Sequence, residues 1–210
     1  VHTIDTILTI IRHTDFIVSG SYIVLYSSFT MFFLLIEWIK AEKEIYKIIT
    51  DMNLAREIKK DIYWIGVNDR RTHIFENYWP LPKGVAYNSY IIVDEKVVVI
   101  DTIERSKMDD YVENIEQLLN GREVDYLVIN HMEPDHTGAI KALLCHYPDV
   151  KIIGNAKTFP MLKNFYGVCE NLMEIKEGDS LDLGKHKLNF YMAPMLHWPE
   201  TMVTFESTEG

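Results

Sequence analysis

The chain has 210 residues, 48% hydrophobic and 25% charged, an ordinary globular balance with enough apolar mass for one domain with a real core. Its formal net charge of −10 argues against a nucleic-acid partner, which needs a basic face. The two cysteines, Cys145 and Cys169, form no Cys-x-x-Cys pair, so neither a disulfide framework nor a cysteine zinc site is supported, and a reducing, cytoplasmic compartment is expected.

Residues 1–51 differ from the rest. From Phe16 to Ile36 there is no Asp, Glu, Lys or Arg, and about 20 helical residues suffice to cross a bilayer core. Several β-branched residues and Ser19-Gly20-Ser21 weigh against a span. A cleaved signal is disfavoured, because no basic residue lies close before the run and no small-residue cleavage site follows it. Three readings of 1–51 stay open: a membrane span, spurious upstream sequence with Met52 as the native start, or an extra packed helix. Glu37 to Leu54 reads as a polar, helix-prone connector.

The domain proper, 52–210, opens with strands. Ile62 to Val67 is a β-rich run, Arg70 to Lys83 with its two prolines is a loop, and Ala86–Val93 and Lys96–Ile100 are strands joined at Asp94-Glu95. Asp101 closes the second of these and reads as a cap before the next helix. Met108, Tyr111, Val112, Ile115, Leu118 and Leu119 repeat at three and four, predicting a helix with Ser106 and Asp109 as its capping box and Gly121 at its exit. Asp125–Asn130 is a buried strand, and Ile140, Leu143, Leu144 and Tyr147 mark a helix that Pro148 ends. A strand at 150–154, a helix at 156–165 and strands at 172–175, 181–183 and 187–193 follow. This order predicts an α/β fold with a mixed sheet.

The informative stretch is Asn130-His131-Met132-Glu133-Pro134-Asp135-His136-Thr137-Gly138. Four metal-binding side chains fall within six residues, directly after the apolar run Tyr126-Leu127-Val128-Ile129. Such a strand delivers its loop to the carboxyl end of the sheet, where open α/β folds place their sites. His131 and Glu133, at i and i+2, can point the same way from extended backbone, while Asp135 and His136 turn toward a second position. Imidazole with carboxylate suits iron, manganese or zinc. Pro134 stiffens the loop and Gly138 is expected to allow a tight exit into a helix. The plainer alternative is a polar loop with Asp135 or Thr137 as a helix cap. Trp79, Trp198 and Tyr90 are candidate pocket residues or simply core, and His73, His146 and His186 read as ordinary.

These residues resemble a known family. His131-x-Glu133-x-Asp135-His136 followed by Gly138 is similar to the metal motif of the flavodiiron branch of the metallo-β-lactamase fold, and Leu196-His197-Trp198-Pro199-Glu200-Thr201-Met202 resembles its next ligand segment. The resemblance implies an αββα sandwich, incomplete at the C-terminus, with Asp101 beneath the metal site as the alternative to its reading as a helix cap. It implies two non-haem Fe ions, one on His131, Glu133 and His197 and the other on Asp135 and His136, with a bridging Asp and a last His expected beyond Gly210. It further implies reduction of O2 to water or of NO to nitrous oxide, with FMN on an absent flavodoxin-like domain, a rubredoxin-like electron donor and a homodimer when complete. Hydrolases of this fold carry His where Glu133 stands. A zinc-dependent hydrolase of thioesters or lactams is therefore the rival reading, and an inactive truncated fragment is the third.

Overall fold

The computed structural model describes residues 36–42, 55–75 and 77–210. The chain divides into two units, Val1–Met52 and Asn53–Gly210. In the first, 36–42 is helical, with Lys40 Nζ 2.8 Å from Glu37 Oε1. Most of the charge-free run Phe16–Ile36, namely 16–35, lies outside the described residues. Among the described residues, no helix is long and apolar enough to cross a membrane.

The second unit is built on a seven-stranded mixed sheet ordered β1-β2-β7-β8-β9-β10-β11. Its strands are β1 (Arg56–Lys59), β2 (Ile62–Trp64), β7 (Tyr90–Val93), β8 (Val97–Ile100), β9 (Tyr126–Val128), β10 (Lys151–Gly154) and β11 (Leu172–Glu174). Pairing is antiparallel from β1 to β8 and parallel from β8 to β11. A helix-bearing connection precedes each parallel neighbour, as parallel strands require. These helices are α1 (Met108–Leu119), the single turn α2 (Pro134–Thr137) with α3 (Ile140–His146), and α4 (Thr158–Tyr166).

The apolar runs of the central strands are continuous because both faces of the sheet are covered. Ile91, Val97, Val99, Leu127 and Ile152 point to one side, where they pack with Tyr111, Ile115, Ile140, Leu143 and Leu162 of the helices. Their sequence neighbours Ile92, Val98, Val128 and Ile153 point to the other side, against Leu181, Leu188, Phe190 and Met202. Those last residues belong to a three-stranded antiparallel sheet of β12 (Ser180–Asp182), β13 (Lys187–Met192) and β14 (Met202–Glu206). The layers are helix, sheet, sheet: the part of the expected αββα sandwich that this chain supplies.

Several element boundaries differ from expectation, each for a local reason. The run at 62–67 breaks into β2 and β3 (Val67–Asp69), and 86–93 breaks into β6 (Val85–Tyr87) and β7, because β3 and β6 leave the large sheet to pair with each other. Gly66 makes that close pairing possible, since a Cβ there would lie 2.1 Å from Tyr87 O. The loop expected at 70–83 contains a small ladder, β4 (Ile74–Phe75) with β5 (Trp79–Pro80), too short to leave a periodic trace. Strands β1 and β14 were not foreseen; β1 is exposed throughout, so it carries no apolar alternation to betray it. The expected Ser106 and Asp109 capping box does not form. Instead Glu104 accepts from Ser106 N ahead of a 3-10 turn at Arg105–Lys107, and Lys107 caps α1 without a side-chain bond. At the other end Asn120 takes the left-handed position (φ 47°) and Gly121 follows at φ 87°.

Buried polar contacts tie the two sheets together. Asp94, in the β7–β8 turn, accepts from Lys185 N at 2.6 Å and His186 N at 2.7 Å. His186 is 3% exposed and sits 3.3 Å from Glu206 Oε1. Burial alone would raise the Glu206 carboxyl, but the amides of Glu209 and Thr208, the Thr208 hydroxyl and His186 hold it down at about 2. Its folded value lies below its unfolded value, so its contribution to stability is complete above about 4.5 and is lost as pH falls toward 2. Glu206→Gln is expected to flatten that part of the profile: urea midpoints measured between pH 6 and pH 2.5 should fall less steeply than those of the unsubstituted chain.

Candidate metal centre

The parallel pairing of β8 with β9 sets Ile100 opposite Val128, so the two strands end side by side. Asp101, one residue past the first strand, and the segment 128–130 are then cross-linked: Asp101 N donates to Val128 O at 2.8 Å and Asn130 N donates to Asp101 Oδ1 at 2.7 Å. Asp101 adopts φ 53°, a left-handed conformation that a non-glycine residue takes only when its surroundings hold it there. Its carbonyl accepts from the buried hydroxyls of Ser89 at 2.8 Å and Tyr111 at 3.2 Å. This frees its carboxylate to face the loop after β9.

Glu133 has extended backbone (φ −62°, ψ 145°), and its side chain approaches that of His131 while Met132, between them, is fully buried in the core. Glu133 precedes the one-turn helix α2, with Pro134 at its first position. Neither Asp135 nor Thr137 caps it, contrary to the plainer reading. The Thr137 hydroxyl instead lies 2.9 Å from Glu133 O and 2.7 Å from Tyr166 Oη. Gly138 has φ −60°, so its role is not a left-handed exit. It permits close approach: a Cβ there would lie 2.5 Å from Arg105 N and 2.8 Å from Pro134 O.

The structure brings His131, Glu133 and His197 together. Glu133 Oε2 is 3.0 Å from His131 Nε2 and 3.1 Å from His197 Nε2, and the two Nε2 atoms are 3.2 Å apart. His131 and Glu133 are buried, whereas the His197 side chain is 66% exposed at the rim. A cation with bonds of about 2.0–2.2 Å spaces adjacent donors about 3 Å apart, so this triad has the dimensions of one face of a coordination shell. Among the described residues it is the one group of three such side chains whose ligand atoms all lie within 4.8 Å of one another.

Asp135 and His136 stand on the α2 turn beside it. His136 Nε2 is 3.7 Å from Asp135 Oδ2, and the His131 and His136 rings lie 5.3 Å apart, edge to face. Asp135 Oδ1 is buried without a hydrogen-bond partner among the described residues, which is costly unless a cation takes it. Burial first, then the Glu133 charge, raises the Asp135 carboxyl, partly offset by His136. Burial lowers the His136 imidazole, but the hydrogen bond and charge of Asp101, with Asp135 and Glu133, outweigh it and raise the group overall. Asp101 Oδ2 lies 3.2 Å from His136 Nδ1, leaving Nε2 as the atom available to a metal. The donors present therefore fit divalent or trivalent metal ions of the iron type, by their chemistry and by an orphaned oxygen.

An open cleft of about 340 Å³ reaches Glu133, Pro134 and Asp135 from Ile74, Phe75 and Tyr87. Trp79 and Tyr90, two of the expected pocket aromatics, do not line it. Trp79 is 59% exposed on the β4–β5 ladder and Tyr90 is held in the large sheet. Trp198 packs edge-on against His131, ring centres 5.1 Å apart. His146 pairs with Glu116 on the surface, and Cys145 and Cys169 are exposed and free. One site neighbour went unassigned in the sequence: Glu200, 2.9 Å from His131 Nδ1. An acidic residue three positions after His197 was its sole signal.

Residues 85–210 match the model of a family described as ODP family beta lactamase. Among curated proteins, the chain is similar to the nitric oxide reductase of Moorella thermoacetica, 36% identical over 155 residues that make up 73% of this chain and 39% of that protein. It is also similar to the anaerobic nitric oxide reductase flavorubredoxin of Vibrio vulnificus, 36% identical over 70% of this chain and 31% of that one. Among solved structures, a flavoprotein from Thermotoga maritima superposes with a TM-score of 0.68 and 32% identity over 73% of this chain and 39% of its own. Rubredoxin oxygen:oxidoreductase from Desulfovibrio gigas gives 0.69 and 31% over 72% and 38%. The chain thus spans less than two fifths of the length of each of these four relatives.

The close seat of Gly138 on the 103–105 backbone is expected to make Gly138→Ala cost about 1–3 kcal/mol, the range for overpacking a tight contact. Urea unfolding of the two chains measures the difference.

Proposed function

We propose that this chain, which belongs to the ODP beta-lactamase family, carries the metal-binding part of a flavodiiron oxidoreductase that reduces dioxygen to water or nitric oxide to nitrous oxide. The observation that carries the reading is the convergence of the Glu133 carboxylate on the His131 and His197 Nε2 atoms. Glu133 places a hard anionic oxygen where a zinc hydrolase of this fold would have a third imidazole, and that favours iron and redox chemistry over water activation.

On this reading His131, Glu133 and His197 hold one iron, and Asp135 with His136 contributes to the second. Two irons bound there would bind a small diatomic gas and pass to it the electrons that an external donor provides. The residues of this chain do the rest of the local work. Asp101 orients His136, Trp198 shields one edge of His131, and the cleft beside Phe75 and Tyr87 gives a small apolar molecule a path to the acidic side of the centre. FMN and a rubredoxin-type donor are the proposed electron route, supported by the names of the flavorubredoxin and rubredoxin oxygen:oxidoreductase relatives. Assembly as a homodimer and a cytoplasmic location belong to the same reading.

The test is metal analysis and gas consumption by the full-length gene product supplied with a rubredoxin-type donor. Two irons per chain and consumption of dioxygen or nitric oxide are expected, with Glu133→Ala and His197→Asn each losing iron and activity while still unfolding cooperatively, near the urea midpoint of the metal-free wild type. Zinc in place of iron, with hydrolysis of a thioester, would overturn the reading.

A further inference from the structure

We infer that Glu200 is a positioning residue of this centre, which fixes the tautomer of His131, makes it a stronger metal ligand and locks the His197 loop against it. The inference rests on the reading that His131 and His197 hold metal.

Glu200 lies in the loop from β13 to β14 and is 1% exposed. Its Oε1 is 2.9 Å from His131 Nδ1 and 2.8 Å from Met132 N, so one oxygen accepts from a ring nitrogen and from the backbone beside it. A carboxylate can only accept, so Nδ1 carries the proton and the His131 lone pair is left on Nε2, the atom that faces Glu133 and His197. The carboxylate held on Nδ1 then strengthens Nε2 as a donor to a bound cation.

The rest of the residue is held with equal care. Glu200 O accepts from Asn155 Nδ2 at 2.6 Å, and Asn155 Oδ1 accepts from the amides of Lys157 and Thr158 at the start of α4. On the same loop, Met195 N donates to Trp198 O at 2.8 Å and the Thr201 hydroxyl donates to it at 3.1 Å. The segment from His197 to Glu200 is therefore tied at Trp198 O from both sides, by residues 195 and 201. Its two ends meet His131 on opposite ring nitrogens, Glu200 at Nδ1 and His197 near Nε2. Glu200 Oε2 is buried with no hydrogen-bond partner among the described residues, and no Lys or Arg pairs with the carboxylate. An anion buried this way is costly, and a loop staple alone could be made by a neutral amide. The charge is what a staple does not need and a metal ligand's partner does.

Glu200→Gln separates the two roles, because the amide oxygen can still accept from Nδ1 and Met132 N but brings no charge. The probe is ferrous iron added anaerobically to the full-length gene product. The wild type is expected to bind it, and the Gln variant to unfold at the wild-type urea midpoint when both are metal-free, bind iron about 10- to 100-fold more weakly and show a higher midpoint potential in an EPR-monitored titration. A variant equal to wild type in affinity and potential would reduce Glu200 to a staple and overturn the inference. A wild type that binds no iron would overturn the metal reading along with it. A separate measurement needs no variant: 15N shifts of the metal-free wild type should show neutral His131 protonated at Nδ1, and protonation at Nε2 would refute the assignment.

Discussion

The site depends on one piece of strand pairing. β8 and β9 run parallel with Ile100 opposite Val128, so both strands stop at the same edge and both release polar residues there. A slip of one residue would turn every side chain of β9 to the other face. It would also separate the Asp101 carboxylate from the Asn130 amide and from His136. The apolar alternation of Val97, Val98, Val99 and of Leu127, Val128 resists that slip, because each residue has a distinct core to fill on its own side of the sheet. Core packing is thus what holds a polar loop in register.

The donor triad draws on both sheets. His131 and Glu133 follow β9 of the large sheet, and His197 precedes β14 of the small one. Met202 N donates to Asn130 O and the Thr204 hydroxyl donates to Asn130 Oδ1, so the two sheets are joined one residue before the first imidazole. The imidazoles of His131 and His136 each place Nδ1 against a buried or half-buried carboxylate, and both leave Nε2 toward the centre. Such partners decide which ring nitrogen is free and which way it points, properties that the ligands themselves do not set. Backbone strain at Asp101 is part of the same design: the Ser89 and Tyr111 hydroxyls hold a left-handed residue so that its side chain can serve two groups at once.

Where the chain departs from its apparent pattern, the cause is a second partner. The runs 62–67 and 86–93 are each apolar enough to read as one strand, yet each divides as the chain passes from the large sheet to the β3–β6 ladder. Gly138 looks like a conformational hinge and is in fact a contact point, since its φ is that of an ordinary helical residue and the space for its Cβ is taken by backbone. Local sequence carries no record of what packs against it.

The amino-acid sequence alone settled the class of fold, the helix at 108–119, the strand leading to residue 130, and the clustering of His131, Glu133, Asp135 and His136 on one loop. All of these are written in short-range periodicity or in neighbouring residues, where backbone geometry translates spacing directly into direction. A motif resemblance was needed to pick out His197, a surface histidine beside a tryptophan with no local sign of a role. Only the tertiary structure put His197 Nε2 3.2 Å from that of His131, 66 residues earlier. It alone placed Glu200 and Asp101 behind the imidazoles, and it alone left one Asp135 oxygen buried without a partner among the described residues. Those facts arise from the closing of two sheets on each other, and contacts between segments so far apart follow from the whole core, not from any stretch of chain.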